Sequence, residues 1–237
     1  MDSVLELLSF GPDGWGDEIA SGVFVTVTLA LATLPFGLAL GFFVALAKQS
    51  EEPSLRLAAN IYTTIFRGLP ELMTLFLIYF GAQIGLRQFL LFIGVETAIE
   101  INSFLAGMLA LGVVFSSYAS EVFLSAFRAI PKGQYEGGFA VGLTWGQTMR
   151  KVVLPQLIRL ALPGLSNLWL VLLKDTALVS TIALSDILRQ TGIAARVTKQ
   201  AFFFYGTAFL LYLVLAIISG IVISRIERYG NRGLAGR

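Results

Sequence analysis

Five ionisable side chains sit where a hydrophobic chain has least use for them. Arg67 and Glu71 lie in IFRGLPELM (65–73), Glu121 in SYASEVFLSAF (117–127), and Lys174 and Asp175 in LKDTALVS (173–180). A charge at the centre of a lipid-facing helix costs ~2.5–3.5 kcal/mol or more, so each of these groups must face protein or water. Acid–base or metal chemistry is an unpromising use for them. The chain contains no histidine and no cysteine. That removes the commonest general base, every Ser-His or Cys-His arrangement and every His-ligated metal site. An aspartyl pair would need two facing aspartates, and Asp175 is the only one within an apolar stretch. Neither a catalytic residue nor a metal centre is expected.

Binding remains. An α-carboxylate would be met by Arg67 or by a helix start. An ammonium or guanidinium would be met by Glu71, Glu121 or Asp175. Ser116, Ser117, Tyr118 and Thr176 lie beside these charges and can add neutral hydrogen bonds. A polar substrate pathway would therefore draw on Arg67, Glu71, Ser116, Tyr118, Glu121, Lys174, Asp175 and Thr176. The competing reading is internal pairing. Arg67 and Glu71 are four apart and can bridge on a continuous helix. Pro70 favours a break at RG instead, with Glu71 in the first turn of the next helix. Lys174 and Asp175 are adjacent and point apart, so each needs a partner elsewhere. The hydroxyls can equally be absorbed by their own helices.

The elements that position these groups are transmembrane helices. Of 237 residues, 56% are hydrophobic and 14% charged, against about 45–50% and about 25% in soluble domains. Uncharged runs approach the ~20 residues a helix needs to span a bilayer. Residues 1–18 are acidic, with a turn over Ser9–Gly14 and no basic start, so no cleaved leader is expected. The first span is Ile19–Ala47, carrying Pro35 and a Gly37-x-x-x-Gly41 close-packing face. The second apolar region runs from Leu57 to Leu86, interrupted at RGLPE. FLLFIGV (89–95) is too short to span and is expected at the interface. Further spans follow at Ile101–Phe127, Leu160–Leu184 and Gln200–Ser224. The predicted fold is all-α and polytopic, with about five transmembrane helices.

Charge decides the predicted orientation. With the N-terminus outside, eleven Lys and Arg fall on inside segments, four (Arg87, Arg189, Arg196, Lys199) outside, and two (Arg67, Lys174) within spans. Basic residues accumulate on the cytoplasmic side. The expectation is an outside N-terminal segment 1–18, a membrane domain 19–224 with a cytoplasmic loop 128–159, and a cytoplasmic basic tail 225–237. The loop 185–199 fits this least well, being basic yet assigned outside.

The loop 128–159 contains EGGFAVGLTWGQTMRKVVLPQ (136–156). Residues 134–148 read as a short helix with Tyr135, Phe139 and Leu143 on its apolar side. Gly137, Gly138, Gly142 and Gly146 weaken it, each by ~1 kcal/mol against Ala. Such a helix must be held by tertiary contacts, as a connector on the membrane surface or as a docking element for a soluble partner. The chain has no G-x-x-x-x-G-K-[ST] phosphate loop. A nucleotide that drove transport would be bound on another polypeptide.

This stretch resembles the EAA loop of ABC-importer permeases, E-A-A-x3-G-x9-I-x-L-P, through Glu136, Gly142, Val152, Leu154 and Pro155. Gly137 and Gly138 replace the two alanines and Val152 the isoleucine. IFRGLPELM, SYASEVFLSAFRAIPKGQYE (117–136) and LKDTALVS are similar to the histidine/glutamine-type polar amino acid permeases. Within that group the likeness is greatest to Q-type subunits for histidine, arginine or opines such as octopine and nopaline. The resemblance implies a type I ABC-importer permease in a bacterial inner membrane, five spans and N-terminus periplasmic. It also implies that Glu136, Gly137, Gly138, Gly142, Trp145, Leu154 and Pro155 engage a dimer of cytoplasmic ATP-binding subunits. The ATP and magnesium would sit on those partners, with no cofactor in this chain. A second related permease, forming a hetero pair, and a periplasmic substrate-binding protein complete the implied assembly. Nothing points to nucleic acid. An ion-coupled carrier or channel subunit for small polar solutes is the alternative, and it would transport without an ATPase.

Overall fold

The computed structural model describes residues 6–94 and 101–230, and they form helices with no strand among them. Expectations for Glu96 and Glu100 and for Arg232 and Arg237 fall outside the described residues. In chain order the helices are α1 Gly16–Gln49, α2 Pro53–Gly68, α3 Glu71–Phe92, α4 Ser103–Ala129, α5 Lys132–Ala140, α6 Trp145–Thr148, α7 Leu154–Asp175, α8 Ile187–Thr198 and α9 Ala201–Gly230. A π-helical turn, Met149–Val153, joins α6 to α7, and a 3-10 turn, Thr176–Ile182, extends α7. Five segments are long and apolar enough to cross a bilayer: α1, α3, α4, the run Trp145–Ile182 and α9.

The central element is α4. Its small and apolar residues Ala106, Ala110, Leu111, Phe115, Ala119 and Phe123 are all buried. Its first turn is capped by Asn102, whose side chain accepts hydrogen bonds from the amides of Phe104 and Leu105. The predicted glycine face of α1 lies directly on α4. A Cβ on Gly41 would come within 2.9 Å of both Ala119 Cβ and the Ser116 carbonyl, and one on Gly37 within 2.5 Å of the Phe115 ring. The two backbones approach because neither glycine has a side chain. Leu29 and Ala45 complete the α1 side of the core, Leu75 of α3 and Leu157 and Ala161 of α7 the rest.

Four expectations need correction. The apolar region Leu57–Leu86 is two helices. The first, α2, is amphipathic: Ala59 and Thr63 are buried while Leu57, Ile61 and Ile65 form an exposed stripe at i, i+4, i+8. Only α3 spans, and its last turn absorbs Phe89–Phe92, so FLLFIGV is no separate interfacial piece. The fourth span starts far before Leu160, because the helical run from Trp145 is continuous through the π turn to Ile182. Finally, the helix expected over 134–148 ends at Ala140. Gly142 takes φ +82°, Leu143 N–H reaches Gly138 carbonyl at 3.1 Å, and Gly142 N–H reaches Phe139 carbonyl at 2.9 Å. This pair of bonds is a Schellman stop, which wants glycine at the left-handed position.

At the other end of the bundle, α8 is capped by the buried Asp186, whose Oδ1 accepts from Arg189 N–H at 2.9 Å. Thr26 of α1 accepts from Ile187 N–H, and Tyr212 of α9 lies 3.5 Å from Asp186 Oδ2. Burial pushes the Asp186 carboxyl up to about 6, against the lowering effect of these hydrogen bonds. Ile19, Ala194, Ala195 and Phe204 form a second small core here, covered by Leu7, Leu8 and Trp15. The N-terminal segment and α8 therefore share one face.

Candidate functional site

The break at RG separates Arg67 from Glu71. Arg67 ends α2, Pro70 occupies the N-cap position of α3, and Glu71 opens that helix. The two side chains consequently serve different places. Glu71 lines a cavity of about 340 Å³ with Tyr118 of α4 and Asn167 and Asp175 of α7. The remaining wall is apolar, from residues such as Leu111, Phe115 and Val171. The volume lies at the lower end of small-molecule sites, which run from about 300 Å³ upward. Two carboxyls, an amide and a phenol converge there, and no cationic side chain lines it among the described residues.

Arg67 instead binds Glu121. Its Nη1 is 3.3 Å from Glu121 Oε1, and its guanidinium sits over the Tyr118 ring, 5.5 Å from the centroid. Lys48, at the end of α1, pairs with the same Glu121 oxygen. The Lys48 side chain is only 7% exposed, so this is a buried cation held by one carboxylate. Together these contacts tie the ends of α1 and α2 to α4, one turn beyond Tyr118. Glu121 also edges a second, more open cavity of about 400 Å³ between α4 and α7, lined by Ser125, Ala129, Leu160 and Gly164. The two cavities follow one another along α4.

Ser116 and Thr176 are fully buried and do not line the first cavity. Thr176 Oγ1 donates to Leu173 carbonyl at 2.7 Å. Ser116 Oγ lies 2.7 Å from Val113 carbonyl and 2.6 Å from the Tyr62 hydroxyl. Lys174, beside Asp175, is exposed on the outer surface of α7. Tyr118, Glu71 and Asp175 are thus brought together, Arg67 and Glu121 form a neighbouring cluster, and Ser116, Lys174 and Thr176 lie apart from both. Sequence reading passed over Asn167 and Lys48. Asn167 had a usable signal, an amide within an apolar run, since polar groups inside a membrane are costly whether or not they ionise. Lys48 had none, because a lysine at a span end is ordinarily expected to reach water.

The segment that resembles the EAA loop is a hook built from α5, the Gly142 turn and α6. Gly138 is buried against Thr148, where a Cβ would meet Thr148 Cγ2 at 2.5 Å. Thr144 caps α6 in a reciprocal box with Gln147. Gln134 and Gln156 bond at 2.9 Å across the hook. Tyr135, Met149 and Leu154 pack on the main core, anchored by the buried Val153 and Leu157. Glu136, Gly137, Gly142, Trp145 and Pro155 are exposed. Beside them stand three bare apolar side chains, Phe139, Val141 and Trp145, the last two 76% and 63% exposed. Exposed apolar side chains grouped on a polar hook make it a candidate interaction surface.

The sequence profile of a family described as the inner membrane component of binding-protein-dependent transport systems matches residues 37–235. The chain belongs to this family. It is 42% identical over 232 residues to the nopaline transport system permease protein NocQ of Agrobacterium fabrum, spanning 97% of this chain and 98% of that one. It is 38% identical over 221 residues to the histidine/lysine/arginine/ornithine transport system permease protein HisQ of Salmonella typhimurium, spanning 93% and 96%. A crystal structure of an amino acid ABC transporter with histidines matches with a TM-score of 0.76 and 32% identity, over 91% of this chain and 95% of that one. The likeness seen in IFRGLPELM, the 117–136 stretch and the EAA-type loop is therefore a true relationship over nearly the whole chain. This permease is a multi-pass protein of the inner membrane.

Proposed function

We propose that this permease passes a cationic amino acid or an opine across the inner membrane, driven by ATP hydrolysed on a separate subunit pair. The observation that carries the substrate class is the cavity of Glu71, Tyr118, Asn167 and Asp175. An ammonium or guanidinium replaces its water shell there with two carboxyls and an amide, while its methylenes lie on Leu111, Phe115 and Val171. The relatives' substrates, nopaline in one and histidine, lysine, arginine and ornithine in the other, all carry such a cation or an ionisable base. The α-carboxylate must be met by groups outside this lining. A second permease in a hetero pair is the partner that would bring them.

The exposed hook of Phe139, Val141 and Trp145 with Glu136 is the surface that docks a cytoplasmic ATPase. Rigidity supports this reading: Val153 and Leu157 join the hook to α7, which also carries Asp175. A push on the hook is transmitted along one helical run to the cavity wall. The orientation that goes with it puts the N-terminus in the periplasm, α8 beneath the binding protein and the hook in the cytoplasm.

The test is uptake of labelled arginine and of labelled glutamine by the reconstituted transporter carrying Asp175→Asn. Arginine uptake is expected to fall at least tenfold with glutamine little changed. Equal loss of both, or no loss of either, would remove the cation-binding role from this cavity.

A further inference from the structure

We propose that a cleft where α8 meets the start of α9 holds the phosphate of an anionic bilayer lipid. The cleft measures about 280 Å³ and is lined by Ser180, Leu188, Arg189, Gly192, Arg196 and Tyr205.

Among the described residues, no carboxylate forms an ion pair with its two arginines. Arg189 and Arg196 are seven residues apart, two turns of α8, and so lie on one face. The ion pairs found among the described residues use Lys48, Arg67 and Glu121, none of them here. Asp186, the nearest carboxyl in sequence, is buried and occupied as the cap of α8. Arg189 Nη1 donates to Ser180 carbonyl at 3.3 Å, which fixes the guanidinium at the wall and leaves its other N–H groups for a ligand. Between the arginines, Gly192 leaves the floor open: a Cβ there would meet only the Tyr205 hydroxyl, at 3.6 Å. Two guanidinium forks and a phenol are a donor set for phosphate oxygens.

Position selects a lipid as the source of that phosphate. One span ends at Ile182 and the next begins at Ala201, so the cleft lies at headgroup level. Along α9 from its first turn past the cleft, Phe202, Tyr205 and Phe209 (i, i+3, i+7) form an apolar stripe that leads into the bilayer, with Phe202 97% and Phe209 66% exposed. A soluble anion gains nothing from that stripe and a soluble protein cannot reach down it, whereas an acyl chain lies along it. The proposal also accounts for the basic 185–199 segment, which runs against the charge bias of the rest of the chain. Its cations hold lipid, and need not report which side is cytoplasmic.

The experiment is native mass spectrometry of the intact transporter from nanodiscs of phosphatidylcholine with phosphatidylglycerol. At least one phosphatidylglycerol per copy of this permease is expected to survive delipidation. Arg189→Gln with Arg196→Gln should reduce that retention at least tenfold. Arg196→Gln alone changes an exposed side chain, so it should reduce retention without altering the melting temperature of the lipid-free complex. Millimolar inorganic phosphate should not displace the lipid. Retention equal to wild type in the double variant would overturn the proposal. Displacement by inorganic phosphate would assign the cleft to a free anion. Unchanged lipid with lost stimulation by the substrate-binding protein would assign it to an acidic protein surface.

Discussion

Gly142 isolates backbone conformation as a cause. It sits at φ +82° in the stop between α5 and α6, and a Cβ there would find nothing within 4 Å. Gly142→Ala therefore introduces no clash. Its cost is the left-handed conformation alone, about 1–2 kcal/mol for an L-residue. That lowers the equilibrium ratio of hook to open geometry roughly 5- to 30-fold. The assay is ATP hydrolysis by the reconstituted transporter as loaded binding protein is added, with hydrogen exchange across 136–148 as the structural readout. Alanine should cut stimulation by up to that factor and speed exchange at Gly142 and Leu143, whose amides close the stop. Gly142→Asn should recover most of both, because asparagine tolerates the left-handed region. Alanine behaving as wild type, or asparagine failing as alanine does, would refute the claim that this turn holds the coupling surface.

Other expectations follow from the packing and the charges. Gly41→Val should lower the melting temperature by the equivalent of about 1–3 kcal/mol, because its Cβ meets the Ser116 carbonyl, which is backbone and cannot turn aside. Glu121→Gln should destabilise by about 1–3 kcal/mol, by leaving the buried Lys48 without its counter-charge beside a partly exposed partner. Adding Lys48→Met should recover more than half of that loss, measured by melting in detergent. Asp186 gives a pH signature. Its folded value is raised to about 6 from 3.8, so its stabilising effect is full below pH ~4 and is lost as pH rises through 6. Asp186→Asn keeps an equally good cap. The wild-type minus variant stability should thus fall by about 2 kcal/mol between pH 4 and pH 7.

What could be read from the sequence was whatever has a strong local signal. The glycine pair 37 and 41 announced a close contact, and α1 does lie against α4 there. Five spans followed from apolar runs. The break at RGLPE was readable as an alternative through Pro70, yet α2 was folded into a span because its exposed stripe of Leu57, Ile61 and Ile65 counts as apolar length. The apolar pattern over 134–148 predicts one helix where the structure has two. The decisive signal was present, since Gly142 followed by the apolar Leu143 is a helix stop. It was outweighed by the apolar repeat running through it. Within the cavity, Glu71, Tyr118 and Asp175 were identified and do converge, while Arg67, Glu121 and Lys48 satisfy one another. Which of several intramembrane charges pair and which face open space depends on helix rotation, and a single chain of letters does not encode that locally.

The most direct test of the account is ATPase activity in proteoliposomes. This permease is assembled with the proposed partner permease and ATPase, and the binding protein is added loaded in turn with arginine, histidine, glutamine or an opine. The account predicts stimulation by a loaded form carrying a cationic substrate, abolished by Glu136→Lys with membrane insertion intact. Folded permease from which no ATPase co-purifies, transporting without ATP, would contradict it.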